Sequence, residues 1–256
     1  MRWPGRTVFF AVLPVPSRRS ADVMHMPDEG CAWQKERDVT MTQSGEHLGR
    51  AAARAALYSL LAQALNYPDG ELVKGLCRGD YLRETFDTLD ALGITGLSDC
   101  LETLRKEYPP DADEKSLLLE LERDYTWMCF ASKPHRLVYL FESVYNEGKL
   151  FDESTFSIAR LYYEAGLKVE EDFRLPPDHI AVELEFMSFL CFKEVEGIKA
   201  GDSRITDYAV ELQRRTLDEH LRRFALTVAA NLGKHSKTRF YQSVAKVMTA
   251  LFSGPA

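Results

Sequence analysis

Wherever the apolar residues of this chain keep a period, the period is that of a helix. Ile180, Leu184, Met187 and Cys191 fall at spacings of four, three and four, which puts them on one face of an α-helix. Leu57, Leu60, Leu61, Ala64 and Leu65 make the same kind of stripe over about 49–66, and Leu118, Leu121, Tyr125 and Met128 repeat it over about 113–130. Shorter stripes follow: Leu82, Phe86 and Leu89; Leu97, Leu101, Leu104 and Tyr108; Ile158, Leu161, Tyr162 and Ala165; Phe240, Val244, Val247 and Leu251. The one apolar octet with strand character, 138–145, has no second segment of its kind to pair with. A chain patterned in this way folds as an all-α, single-domain helical bundle.

Local signals divide the bundle. Gly93 and Gly166 stand where stripes stop, as helix-ending glycines do, and Pro68-Asp69-Gly70 and Pro109-Pro110 break the pattern as turns. Ser98, Ser154 and Ser236 precede stripes as candidate caps, and Ser203 starts a long segment. That segment changes register near Thr216, from Ile205, Tyr208 and Leu212 to Leu217, Leu221, Phe224 and Val228, which predicts a bend. Residues 1–45 show no period and mix Pro, Ser, Gly and charge. They are expected to be a disordered extension, with Met41 a natural alternative start and 46–256 the helical domain. Arg2 and Arg6 precede a short apolar run that Pro14 and Pro16 cut off, and Arg18-Arg19 come after it. An export signal has its arginines before the run.

Several function classes are excluded early. The formal net charge is -7, which argues against a general nucleic-acid binder. Five cysteines, none in a Cys-x-x-Cys pair, argue against a disulfide framework or a cysteine zinc site, and a reducing cytoplasm suits them. No apolar run reaches the roughly 20 residues that span a bilayer, so stable membrane insertion is not expected. There is no phosphate-cradling Gly-x-x-x-x-Gly-Lys loop and no Gly-x-Ser-x-Gly elbow, and no cofactor site is expected. Arg214, Arg215, Arg222 and Arg223 alternate with Glu211, Asp218 and Glu219, the pattern of a solvated mixed-charge face.

The stretch that gathers chemistry is 175–187. Pro176 and Pro177 stiffen the approach, and Asp178 and His179 follow at the start of the Ile180 stripe. Two readings stand side by side. In one, Asp178 caps the helix and His179 bonds Glu183, four residues on and on the same face. In the other, Asp178, His179 and Glu183 form a metal or acid–base cluster, the basis of an enzyme. Tyr125 and Met128 sit in a stripe that is more often core than surface, whereas Trp127 lies off it and is expected to be exposed. Glu142 lies among apolar residues and needs a partner if buried.

Pro-x-Asp-His opening a Glu-Leu-Glu-Phe-Met helix resembles the TorD/DmsD/NarJ family of cytoplasmic chaperones for molybdenum-cofactor oxidoreductases. Two further segments occur in family order. Tyr125 and Met128 stand where that family has a Tyr/Trp-x-x-Leu-Phe motif, and Glu142-Ser143-Val144-Tyr145, preceded by Phe141, resembles its Glu-Ser-Val-Tyr segment. Leu175 replaces the family's usual Glu, and the paired prolines before the second segment are missing. The resemblance implies a chaperone, not an enzyme, that binds the N-terminal signal peptide and apo form of a molybdopterin oxidoreductase catalytic subunit and assists cofactor insertion. That signal peptide is a twin-arginine leader in one branch and an amphipathic leader in another. On this reading Asp178, Glu142 and Glu183 receive charge, while Tyr125, Met128, Phe141, Tyr145 and Pro177 form a groove. His179 orients Asp178 or makes binding pH-sensitive. The protein is expected to be a monomer or a dimer swapped through the 169–179 connection.

Overall fold

The computed structural model describes residues 10–12, 32–130, 136–169 and 175–254, with the backbone alone for 10–12 and 32–44. The first half of the bundle comprises α1 (Ala32–Leu65), α2 (Gly70–Arg78), α3 (Asp80–Ala91), α4 (Ser98–Glu107) and α5 (Glu114–Cys129). Then come a short α6 (Glu142–Asn146), α7 (Glu153–Glu164), α8 (Ile180–Ala200), α9 (Ser203–Thr216), α10 (Arg222–His235) and α11 (Arg239–Ser253). The architecture is all-α, as the periodicity predicts. One small ribbon accompanies it, β1 (Phe10–Val12) antiparallel to β2 (Leu167–Val169), with Phe10 opposite Val169. Of residues 1–45, expected to lack regular structure, the described ones are that strand and the start of α1. The rest of that expectation, and the middle of the 169–179 connection, lie outside the described residues. Helix α1 starts well before the apolar stripe at Leu57 because no proline interrupts the chain between Pro27 and Pro68.

Helix α8 is the axis. Ile180, Ala181, Val182, Leu184, Phe186, Met187, Leu190 and Cys191 are all buried, and a helix apolar on every side belongs inside a bundle. It packs most extensively against α1 and α9. Gly201, at φ 65°, ends it. Gly197 lies inside the helix, where a Cβ would stand 2.5 Å from Thr206 Oγ1 and 2.8 Å from Thr206 N. The two helices therefore meet backbone to backbone at this glycine.

A buried ion pair joins the same three helices. Glu194 of α8 accepts from Arg54 Nη2 of α1 at 2.9 and 2.7 Å and from Gln213 Nε2 of α9 at 2.8 Å, and His47 Nε2 lies 2.8 Å away. Burial pushes the Glu194 carboxyl up, but the bonds from Gln213 and Arg54 outweigh it and the net shift is downward.

The bend expected near Thr216 is a π-helical turn, Leu217–Leu221, inserted between α9 and α10. It carries His220 into the interior. Several caps differ from the serines chosen from sequence. Asp152 and Asp202 cap α7 and α9. At α11, Asp124 of α5 accepts from Lys237 N, Thr238 N and Thr238 Oγ1. No described helix is long and apolar enough to cross a membrane.

Candidate functional site

The Pro-Pro-Asp-His corner is pinned to the segment before α6. His179 N–H donates to the Pro176 carbonyl at 3.1 Å, which closes a turn. Glu142 N–H donates to the Asp178 carbonyl and Ile180 N–H to the Leu140 carbonyl, both at 2.9 Å. Phe141 and His179 thus face each other in an isolated antiparallel bridge. The strand character of 138–145 is realised in that single bridge, after which the chain turns into α6.

Asp178 does not cap α8, as the sequence led us to expect. Its Oδ2 accepts from Ser143 N–H at 2.9 Å, so it caps α6, 35 residues earlier. The α8 cap is His179, whose Nδ1 accepts from Ala181 N–H at 3.2 Å. An Nδ1 that accepts leaves the proton of the neutral ring on Nε2. Burial pulls the His179 pKa down to about 3, so the ring stays neutral at physiological pH and cannot supply the pH sensitivity expected of it. Nor does it bond Glu183, neither of whose carboxyl oxygens has a hydrogen-bond partner.

Behind the corner lies a closed chamber of carboxyl groups. Asp178, Glu142 and Glu183 are all buried. Glu142 has found the partner it needs: His220 Nδ1 lies 2.8 Å from its Oε2, and Asn146 Nδ2 donates to its Oε1 at 3.1 Å. Burial, then the charges of Glu142 and Asp178, push the Glu183 carboxyl well above the usual range, which favours its protonated form. The expected role of these three carboxyls as direct receivers of an arginine pair is corrected by this enclosure. A guanidinium outside the fold cannot reach them; Asp178 and Glu142 bond within the fold instead. Among the described residues no three His, Cys, Asp or Glu side chains are placed to hold a metal ion. Of the trio in the metal or acid–base reading, Asp178 and Glu183 are enclosed, while His179 lines a cavity.

That cavity lies on the outer side of the corner. It measures about 200 Å³ and is lined chiefly by Tyr67, Tyr125, Phe130, Phe141, Leu175 and His179. Phe141 meets the His179 ring edge to face at 5.1 Å, and Tyr67 meets Tyr125 likewise at 5.6 Å. Tyr125 is fixed from behind by its hydroxyl, which donates to the Leu65 carbonyl at 3.0 Å. Tyr67 and Phe130 form an open rim, 52% and 53% exposed. Among the described residues the charged side chain in the lining is Arg136, 5.9 Å from the centre of the Phe130 ring.

Of the residues singled out from sequence, Tyr125, Phe141 and His179 line this cavity together. The others serve it from elsewhere. Pro177 accepts from the Tyr162 hydroxyl through its carbonyl. Met128 is buried, and its carbonyl accepts from Leu137 and Val138 N–H. Tyr145 is half-buried, and its hydroxyl accepts from Tyr139 N–H and Asn231 Nδ2. Sequence reasoning missed Tyr67, Arg136 and His220. Tyr67 sits between a helix end and a proline, so no period marks it, and the π-turn that delivers His220 breaks the register that would have placed it.

Comparison with known proteins agrees with the geometry. The profile of the family described as "Nitrate reductase delta subunit" matches residues 86–230. The chaperone protein TorD of Photobacterium profundum is 32% identical over 144 residues, 54% of this chain and 63% of that protein, so the match spans just under two thirds of that relative. A perchlorate reductase assembly chaperone protein of Dechloromonas aromatica is 24% identical over 196 residues, 77% of this chain and 85% of its own length. A crystal structure described as that of a redox enzyme maturation protein from Archaeoglobus fulgidus superposes with a TM-score of 0.47 and 21% identity, covering 78% of this chain and 94% of that one. The named relatives are chaperones or maturation proteins rather than enzymes. With more than half of its length matched, the chain belongs to the nitrate reductase delta subunit family, that of the TorD and NarJ chaperones.

Proposed function

We propose that this protein is a maturation chaperone of the cytoplasm. It holds the N-terminal leader and the apo form of a molybdopterin oxidoreductase catalytic subunit until the cofactor is in place. One observation supports this reading above the rest: the family's Asp-His corner brings Phe141 and His179 into one wall of an aromatic cavity with Tyr67, Tyr125 and Phe130. An aromatic cavity with an open rim suits the apolar face of a leader helix, which presents anchors at helical spacing. Among the described residues the lining is aromatic and apolar apart from Asn66, Arg136 and His179, which suits the apolar run of a leader. That chemistry fits an amphipathic leader at least as well as a twin-arginine one.

The test is fluorescence anisotropy with a labelled N-terminal leader peptide of a molybdopterin oxidoreductase catalytic subunit from the same organism. Tyr67→Ala combined with Phe141→Ala should weaken binding by tenfold or more, since buried aromatic anchors each contribute about 2 kcal/mol. Tyr67 is exposed and Phe141 is only half-buried, so the variant should unfold near the wild-type midpoint. Unchanged affinity in a folded variant would remove the cavity from the binding site.

A further inference from the structure

A second cavity, about 450 Å³, lies between the α2–α3 corner and α4 and shares no lining residue with the aromatic one. Arg78, Arg83 and Arg105 stand around it, and Phe86 and Leu101 contribute to its apolar surface. Phe86 was expected inside the bundle by its period, yet it is 48% exposed. Arg78 and Arg105 make no salt bridge among the described residues, and Arg83 makes only an exposed one, to Asp80 at 2.7 Å. Exposed pairs of that kind are weak and readily exchanged.

Two helix starts open onto the same space. Helix α3 begins after Gly79 and α4 after Leu97, and neither has a side-chain cap. Gly79 and Ser98 line the cavity. Free N–H groups at helix starts carry partial positive charge and favour anions. Three guanidinium groups and two uncapped helix starts thus act in one direction, in a chain whose formal net charge is -7.

We infer that this cavity is a second recognition site, which takes an acidic segment of a partner polypeptide with an apolar side chain between its carboxylates. The arginines come from three helices: Arg78 ends α2, Arg83 lies on α3 and Arg105 on α4. Glu102 stands among them. A compact polyphosphate would meet that carboxylate at close range, whereas separate carboxylates can each take one guanidinium, which matches their geometry in a two-pronged bond. Phe86 and Leu101 offer the side chain between them a surface. Against an otherwise acidic protein, a basic cavity admits an acidic segment in one place and so fixes how a partner sits.

The probe is a fluorescein-labelled peptide, Gly-Glu-Glu-Leu-Phe-Glu-Glu-Gly, with its all-Gln counterpart, titrated against the full chain by anisotropy. The acidic peptide should bind at least about tenfold more tightly than the Gln peptide, and its affinity should fall as salt rises. Arg78→Glu with Arg105→Glu should weaken it about tenfold or more, and Phe86→Ala should weaken it separately. Tyr67→Ala with Phe141→Ala should leave it unchanged, so this result and the leader test fail independently. All three lining residues are exposed, and matching thermal midpoints would show that the variants fold. Equal binding of the two peptides, full retention in the double arginine variant, or displacement by an equimolar amount of inorganic phosphate would overturn the inference.

Discussion

Replacing Glu183 with Gln tests the chemistry of the carboxyl chamber. In the folded protein the Glu183 pKa stands well above its ordinary value of 4.5, first through burial and then through Glu142 and Asp178. The folded state therefore keeps a proton that the unfolded chain gives up. A group raised in this way contributes its stability fully below the unfolded pKa and loses it as pH rises towards the folded one. The loss is about 1.4 kcal/mol per pH unit while the unfolded chain is ionised and the folded one is not. His179 acts in the opposite sense. Its folded pKa of about 3 lies below its ordinary 6.5, so stability is lost as pH falls from 6.5 towards 3. Above about pH 6.5 the ring is neutral in both states, and of these two groups only Glu183 still contributes a slope.

Gln has nearly the shape of a protonated Glu and does not ionise. The stability of Glu183→Gln minus that of wild type should therefore climb as pH rises above the ordinary carboxyl range, by up to about 1.4 kcal/mol per unit while only the unfolded chain is ionised there. Urea unfolding followed by far-UV circular dichroism, at closely spaced pH values, gives both curves. Groups common to the two proteins cancel in the difference, and the offset at the lowest pH measures how well the amide fits. Parallel curves would mean that Glu183 is ionised in the folded state or has found a partner, and the chamber as described would be wrong.

Two further perturbations address the frame that holds the site. Gly197→Ala gains about 1 kcal/mol of helix propensity but drives a methyl into Thr206, and overpacking against backbone should leave a net loss of about 1–2 kcal/mol. Denaturant titration reads it, and a stabilised variant would contradict the close approach of α8 and α9. Arg54→Ala leaves Glu194 buried with only Gln213 and His47 and should cost about 3 kcal/mol or more. A thermal midpoint within a degree or two of wild type would show that the ion pair does not join α1 to α8.

The helices were legible because each shows its stripe within a dozen or so residues. The α8 stripe, the start of α5 at Asp113 and the bend near Thr216 can all be read from local spacing. Phe86, Ile205 and Tyr208 show the limit, since all three keep the period yet are exposed. A stripe says which face can be covered and not whether a neighbour arrives to cover it. The aromatic pairing of Phe141 with His179 was not legible either, because it depends on a backbone bridge between residues 38 positions apart.

The same limit explains why Asp178 was assigned to the wrong helix and Asp124 to none. Cap signals in a sequence are local: a Ser, Thr, Asp or Asn immediately before a stripe. In this fold the two most enclosed caps are remote. Asp178 closes α6 from 35 residues further along the chain, and Asp124 closes α11 across more than a hundred residues. Each buried carboxylate satisfies free N–H groups that would otherwise cost free energy inside the bundle. Each also ties two distant segments into one place. For Asp178 that tie is what sets Phe141 beside His179. The residue that marks the family thus acts on the aromatic cavity without touching its contents, by fixing where the cavity wall stands. On the proposed reading, the motif marks the leader site while contributing one ring, that of His179, to its wall.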